Sequence, residues 1–214
     1  MVRVKICGIR DEAMLRTAGE AGADWAGFVF FAKSVRAVEI ETIAAWPLDR
    51  YPTPVALLVN PDDRLVDRVI EAGISILQLH GQESPARVAE IRRRTGAEIW
   101  KAHGIYSYDD LCALNEYDAA DKLLLDAKPP AGSDVPGGHG RTFDWSVLKG
   151  WKPAKPWILS GGLTPENVAE AVRQTGASAV DVSSGVESAP GRKDADRVRA
   201  FIAAARQGAA GRPG

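Results

Sequence analysis

Hydrophobic and polar positions follow two rhythms that take turns along the chain. Short runs rich in Val, Ile, Leu and aromatic residues recur at RVKICGI, WAGFVF, TPVALLVN, ILQLHG, EIWKAHG, KLLLDAK, PWILSGG and AVDVSSG. Their length and composition predict eight strands. Between them the period lengthens to that of amphipathic helices, as in DEAMLRTAGEAG, DDRLVDRVIEAG, SPARVAEIRRRTG and TPENVAEAVRQTG, with DADRVRAFIAAARQG after the eighth run. Several of these open on Asp, Ser or Thr, with proline in the first turn, and stop at glycine. A side-chain oxygen there satisfies free N–H groups at the helix start, and glycine tolerates the left-handed turn at its end. EIETIAAWPLDRYP is the weakest helix, because Pro47 cuts it short.

Strict alternation of strand and helix returns every strand in the same direction, so the pairing is parallel. Eight such units in about 200 residues predict a closed, single-domain (β/α)8 barrel with eight parallel strands rather than an open sheet. The barrel is expected over residues 1–207, with 208–214 (GAAGRPG) as a frayed tail. KPPAGSDVPGGHGR is too short for a domain linker and is expected to form a long loop after the sixth strand.

Barrels of this kind carry their chemistry at the carboxyl ends of the strands, and side chains alternate between barrel interior and helix layer. Lys5 and Cys7 share one face of the first strand, Gln78 and His80 one face of the fourth, and Asp181 and Ser183 one face of the eighth. Asp126 ends the sixth strand on the face of Leu124. The barrel mouth is therefore expected to be polar, with a thiol on strand one and a carboxyl on strand six. A free cysteine is most often a small buried hydrophobe. With Lys5 one pleat below, however, the thiolate would be favoured and Cys7 would titrate between about 7 and 8.5, a credible base. Asp126 is open to two readings, an acid or a scaffold carboxylate paired with Lys128 or Arg141. Cys112, in a helix-like run, is expected in the core.

Two further stretches, SGGLTPENV and DVSSGVE, end the seventh and eighth strands with small residues. Backbone N–H groups can approach an anion closely there, and the loops after strands seven and eight are where barrels often hold phosphate. The candidates are Gly161, Gly162, Ser183, Ser184 and Gly185.

Composition narrows the partners. The 214 residues are 45% hydrophobic, enough for one core, and carry a formal net charge of −1. Neither nucleic acid nor a membrane surface is expected as a partner, and Arg92, Arg93 and Arg94 are expected to form a solvated helix face. A phosphorylated small molecule fits better. Two cysteines in unrelated contexts make no disulfide framework, which points to a reducing compartment. With no leader-like segment and no run of about 18 apolar residues, the expected location is the cytoplasm. Nothing marks an interface strand or helix, so a monomer is preferred over a homodimer.

KICGIR, GFVFFAKSVRAV, LQLHG, LLLDAK with GGHGRTFDW, LSGGLTPENV and VDVSSGVE resemble, in order and spacing, the signatures of the phosphoribosylanthranilate isomerase family across nearly the whole chain. The resemblance implies a TIM barrel of tryptophan biosynthesis. Its reaction would be the Amadori rearrangement of N-(5-phosphoribosyl)anthranilate to 1-(2-carboxyphenylamino)-1-deoxyribulose 5-phosphate, without cofactor or metal. It further implies Cys7 as general base, Asp126 as general acid and Arg36 as the anchor for the anthranilate carboxylate. Lys5, His80, Gln78 and Asp181 are the accompanying candidates for substrate contact. The family usually has proline where Val35 stands, which puts little in doubt, and often threonine where His139 stands, which leaves His139 either a loop-tip residue or a substrate contact, the former preferred. A sister barrel of histidine biosynthesis performs the same rearrangement on an aminoimidazole carboxamide ribotide, and some relatives serve both pathways; these resemble one another in carrying aspartate where this chain has Cys7. An inactive phosphate-binding barrel is the other alternative, although it would have no reason to keep thiol, acid and arginine together.

Overall fold

The computed structural model describes residues 1–128 and 142–210, with side chains described through residue 208. The expected loop after the sixth strand, with His139 and Arg141, and residues 211–214 of the expected tail lie outside the described residues.

Eight parallel strands close into a barrel in sequence order: β1 (Arg3–Cys7), β2 (Trp25–Val29), β3 (Thr53–Leu58), β4 (Ile76–Leu79), β5 (Glu98–Ile105), β6 (Lys122–Ala127), β7 (Trp157–Leu159) and β8 (Ala179–Val182). β8 pairs back onto β1 with Lys5 opposite Asp181, which leaves the barrel without a free edge. Helices α1 (Glu12–Glu20), α2 (Ile40–Ala44), α3 (Asp63–Glu71), α4 (Pro85–Thr95), α5 (Tyr108–Ala113), α6 (Val168–Thr175) and α7 (Ala195–Ala210) surround it.

The caps follow the sequence. Asp11, Asp62 and Ser84 accept hydrogen bonds from the N–H groups of Met14, Leu65 and Arg87, and Gly96 and Gly176 end α4 and α6 in the left-handed conformation. α6 starts later than the TPEN motif predicts, because Asn167 turns back to accept from the Thr164 N–H at 2.8 Å and the helix begins only at Val168. α2 is short, as Pro47 requires. α7 runs on to Ala210, three residues into the expected tail. Gly208 is buried against α6, where a Cβ would lie 2.7 Å from the Ala169 carbonyl oxygen.

The periodicity does not predict β9 (Glu187–Ala189) and β10 (Arg192–Lys193), a small antiparallel hairpin between β8 and α7. Nor does it place Cys112 correctly. That thiol is exposed, because the single buried residue of α5 is Leu111 and a helix of six residues presents only a narrow apolar stripe.

Two apolar layers hold the barrel. The larger fills the space between strands and helices, while Trp25, Val55, Ile76, Trp100, Ala102, Leu124, Ile158 and Ala179 fill the barrel interior. Trp25 and Trp100 meet edge to face at 5.0 Å. This apolar floor lies toward the amino-terminal end of the barrel, below Lys5, Cys7, Gln78, Asp126 and Asp181, which stand toward the carboxyl end, where the chemistry of such barrels lies.

Candidate active site

β1 turns Lys5 and Cys7 into the barrel above the tryptophan floor. Space for them is made by Gly27, which stands opposite Cys7 on β2; a Cβ at that position would lie 2.9 Å from the Cys7 sulfur and 3.0 Å from the Lys5 Nζ. Lys5 is wholly buried and donates to Asp181 Oδ1 at 2.9 Å, and the Ser160 hydroxyl donates to Asp181 Oδ2 at 3.2 Å. Burial works against the Lys5 ammonium, yet Asp181 and the Cys7 sulfur outweigh it and hold its pKa above the ordinary lysine value.

The Cys7 thiol departs from expectation. Burial pushes its pKa up and prevails over the lowering effect of Lys5 and Lys193, while Asp181 adds to the rise. The Lys5 charge is the strongest lowering influence on the sulfur, but burial together with the Asp181 charge outweighs it. Titration between about 7 and 8.5 is therefore corrected upward.

Asp126 ends β6 on the inward face, buried at the mouth. Its Oδ1 accepts from the Ala127 N–H at 2.8 Å, and its Oδ2 lies 3.3 Å from His80 Nε2. His80 Nδ1 is 2.8 Å from Gln78 Nε2. The Gln78 amide and the Asp126 carboxyl hold the imidazole at its two ring nitrogens. Gln78 Oε1 is buried with no partner among the described residues. His80 thus orients the Asp126 carboxyl. Lys5 and Gln78, candidates for substrate contact, have no exposed surface and support Cys7 and His80 from beneath. His103 falls on the opposite parity of β5, with Lys101, away from the interior; burial first and then Lys101 lower its pKa.

Arg36 lies at the rim after β2. Its side chain crosses Gly8, where a Cβ would meet Arg36 Cδ at 2.7 Å, and its guanidinium holds Glu187 through Nε at 2.7 Å and Nη2 at 2.9 Å. Glu187 also accepts from Lys193 Nζ at 2.8 Å. Burial alone would raise the Glu187 carboxyl, but the hydrogen bond from Arg36 and the Lys193 charge bring it down to about 2. Sequence reasoning misses Glu187, Lys193 and Ser160. The only signal for the first was its place at the end of VDVSSGVE.

The candidate phosphate loops form one rim. Gly161 and Gly162 both have positive φ, at 83° and 61°. A Cβ on Gly161 would lie 2.5 Å from the Ala127 N, and one on Gly185 would lie 1.9 Å from the Leu163 carbonyl oxygen. Glycine at 161 lets the loop after β7 lie against the end of β6, and glycine at 185 lets the loops after β7 and β8 touch. Among the described residues, the N–H groups of Gly161, Gly162, Ser184 and Gly185 have no hydrogen-bond acceptor, and Ser183 sits beside them, its carbonyl accepting from Lys193 at 2.9 Å. No group of His, Cys, Asp and Glu side chains among the described residues is arranged to hold a metal.

A closed eight-stranded barrel with a thiol, a carboxyl–imidazole pair and a buried ammonium at its carboxyl mouth defines a TIM-barrel enzyme. The family model described as N-(5'phosphoribosyl)anthranilate (PRA) isomerase matches residues 4–204. The chain is 55% identical over 207 residues to the N-(5'-phosphoribosyl)anthranilate isomerase of Hyphomonas neptunium, covering 96% of this chain and 98% of the relative. It is 53% identical over 208 residues to that of Paracoccus denitrificans, covering 95% and 97%. The crystal structure of phosphoribosyl anthranilate isomerase from Thermotoga maritima superposes with a TM-score of 0.85 at 37% identity, over 96% of this chain and 99% of that one. A phosphoribosyl anthranilate isomerase in complex with reduced 1-(o-carboxyphenylamino)-1-deoxyribulose 5-phosphate superposes at 0.80 and 33% identity, over 96% and 99%. The chain belongs to the N-(5'-phosphoribosyl)anthranilate isomerase family and is an isomerase of tryptophan biosynthesis.

Proposed function

We propose that Cys7 is the general base and Asp126 the general acid of the Amadori rearrangement. The observation that carries this reading is the inward placement of both groups at strand ends, the thiol beside Lys5 and the carboxyl against His80. Asp126 gives its proton to the ribose ring oxygen as the C1–O bond breaks, and the anilino nitrogen lone pair forms the C1 iminium. The iminium acidifies the C2 proton. Cys7 as thiolate removes it to give the enolamine, which tautomerises to the ketone. Arg36 binds the anthranilate carboxylate, because a planar guanidinium matches it bidentately. Gly161, Gly162, Ser183, Ser184 and Gly185 receive the phosphate on their backbone N–H groups and hydroxyls. Lys5, Asp181 and Gln78 support from below.

The working compartment is the cytoplasm, a reading supported by two free thiols, one of them at the mouth. A monomer is the proposed working unit, since the sequence marks no interface strand or helix; light scattering of the purified protein checks it. Replacing Asp126 by Asn preserves shape and removes the donor. Turnover, followed as the decay of substrate fluorescence, should fall by about 10²–10⁴-fold with product-analogue affinity nearly kept. Turnover close to the parent value would move the acid to another group.

A further inference from the structure

The hairpin β9–β10 lies outside the barrel and contributes no residue to the acid–base pair, yet it carries Glu187 at its start and Lys193 at its end. Both side chains are almost completely buried. Every acceptor site on the Glu187 carboxylate that faces protein is in use. Oε1 receives Arg36 Nε at 2.7 Å and Lys193 Nζ at 2.8 Å, while Oε2 receives Arg36 Nη2 at 2.9 Å and the Gly191 N–H at 3.2 Å. The hairpin turn also abuts the loop that bears Arg36. Gly191 has φ of 77°, and a Cβ there would lie 2.7 Å from the Val35 carbonyl oxygen.

A guanidinium has two bidentate edges, one formed by Nε with one terminal nitrogen and one formed by the two terminal nitrogens. Glu187 occupies the first edge of Arg36. The edge with Nη1 has no hydrogen-bond partner among the described residues, and the Arg36 side chain retains 11% exposure at the rim. Lys193 extends the network, since its Nζ also donates to the Ser183 carbonyl at 2.9 Å, in the loop after β8.

We propose that Glu187 is the positioning residue that sets carboxylate specificity: it grips Arg36 by its Nε edge and presents the other edge to the anthranilate carboxylate, with Lys193 bracing Glu187 against the Ser183 loop. The inference rests on the assignment of Arg36 as carboxylate anchor. Without Glu187 the long arginine side chain regains its rotamers, and the free edge no longer stands at a defined place at the rim.

The test compares two ligands, reduced 1-(o-carboxyphenylamino)-1-deoxyribulose 5-phosphate and its counterpart lacking the ring carboxylate. The parent should prefer the carboxylated ligand. Glu187→Gln keeps the volume but sets an amide N–H against an arginine N–H; it should weaken the carboxylated ligand by about tenfold to a hundredfold and leave the decarboxylated one unchanged. KM should rise more than kcat falls. If Glu187→Gln folds poorly, Glu187→Gln with Lys193→Met removes the buried, unpaired lysine charge, returns the cluster to the parent's net charge and allows the same comparison. Equal weakening of both ligands, or no weakening of either, overturns the proposal. Arg36→Met separates the two levels: preference lost there but kept in Glu187→Gln defeats the role of Glu187 alone, and preference kept in both defeats the anchor assignment together with it.

Discussion

Asp181→Asn tests whether the base of the active site stands on a buried charge pair. Lys5 has no exposed surface and Asp181 is 5% exposed, with 2.9 Å between Nζ and Oδ1. Asparagine keeps the shape and an oxygen acceptor, and the Ser160 hydroxyl can turn to accept from the amide, so charge is the main loss. Stranding one member of a buried pair costs about 3–5 kcal/mol. A second route to the magnitude agrees. If Lys5 gives up its proton in the folded variant while the unfolded chain titrates near 10.4, the cost is about 1.36 kcal/mol per pH unit, or about 4.6 kcal/mol at pH 7.

The sign of the pH dependence follows from the proton count. In the parent, Lys5 has a raised folded-state pKa and is protonated in both folded and unfolded chains below 10.4; its stabilisation is complete there and is lost only as pH rises through the folded value. With Lys5 neutral in the folded variant, the unfolded chain binds the additional proton, so stability increases with pH. The deficit relative to the parent should shrink by about 2.7 kcal/mol between pH 7 and pH 9. Urea unfolding followed by fluorescence of the six tryptophans measures it, with Cys7→Ser present in both backgrounds so that the thiol cannot supply a replacement anion. Adding Lys5→Met to the variant should restore much of the stability. A deficit below about 1 kcal/mol, or one that does not change from pH 7 to pH 9, refutes the buried pair as described.

Cys7→Ser should fold with little change in melting temperature and lose most turnover; in the parent, the ascending limb of kcat/KM should lie above the ordinary thiol value of about 8.5, since burial raises that pKa, and a limb near neutrality would show the balance of burial and charge to be wrong. Iodoacetamide should modify exposed Cys112 first without inactivation, and Cys112→Ser should abolish that first equivalent while leaving the slower inactivation intact, together with its protection by a product analogue. Gly185→Ala would drive a methyl into the Leu163 carbonyl oxygen, so affinity for a phosphorylated product analogue should fall by more than about tenfold while the barrel remains folded; unchanged affinity would separate the two loops from phosphate binding. His80→Asn removes the partner that orients Asp126, and kcat should fall with KM nearly constant, whereas a change confined to KM would make His80 a substrate contact instead.

Local periodicity sufficed for much of this protein. Alternation along β1, β4, β6 and β8 placed Lys5, Cys7, Gln78, His80, Asp126 and Asp181 on the inner face because a strand has a period of two and a closed barrel has a single interior. Capping residues placed the starts of α1, α3 and α4 for the equally local reason that a side-chain oxygen reaches the N–H groups only two or three residues on. Motif order carried the family and the two glycine loops. Tertiary structure decided what depends on contacts between distant residues. Arg36 meets Glu187 across 151 positions, and no pattern in either segment announces that they share a bidentate pair. Lys5 was visible as a neighbour of Cys7, but its commitment to Asp181, 176 residues away, was not, and that commitment together with burial reverses the expected direction of the thiol pKa. Electrostatic balance at the mouth depends on distance and desolvation, quantities that exist only once the chain has closed on itself.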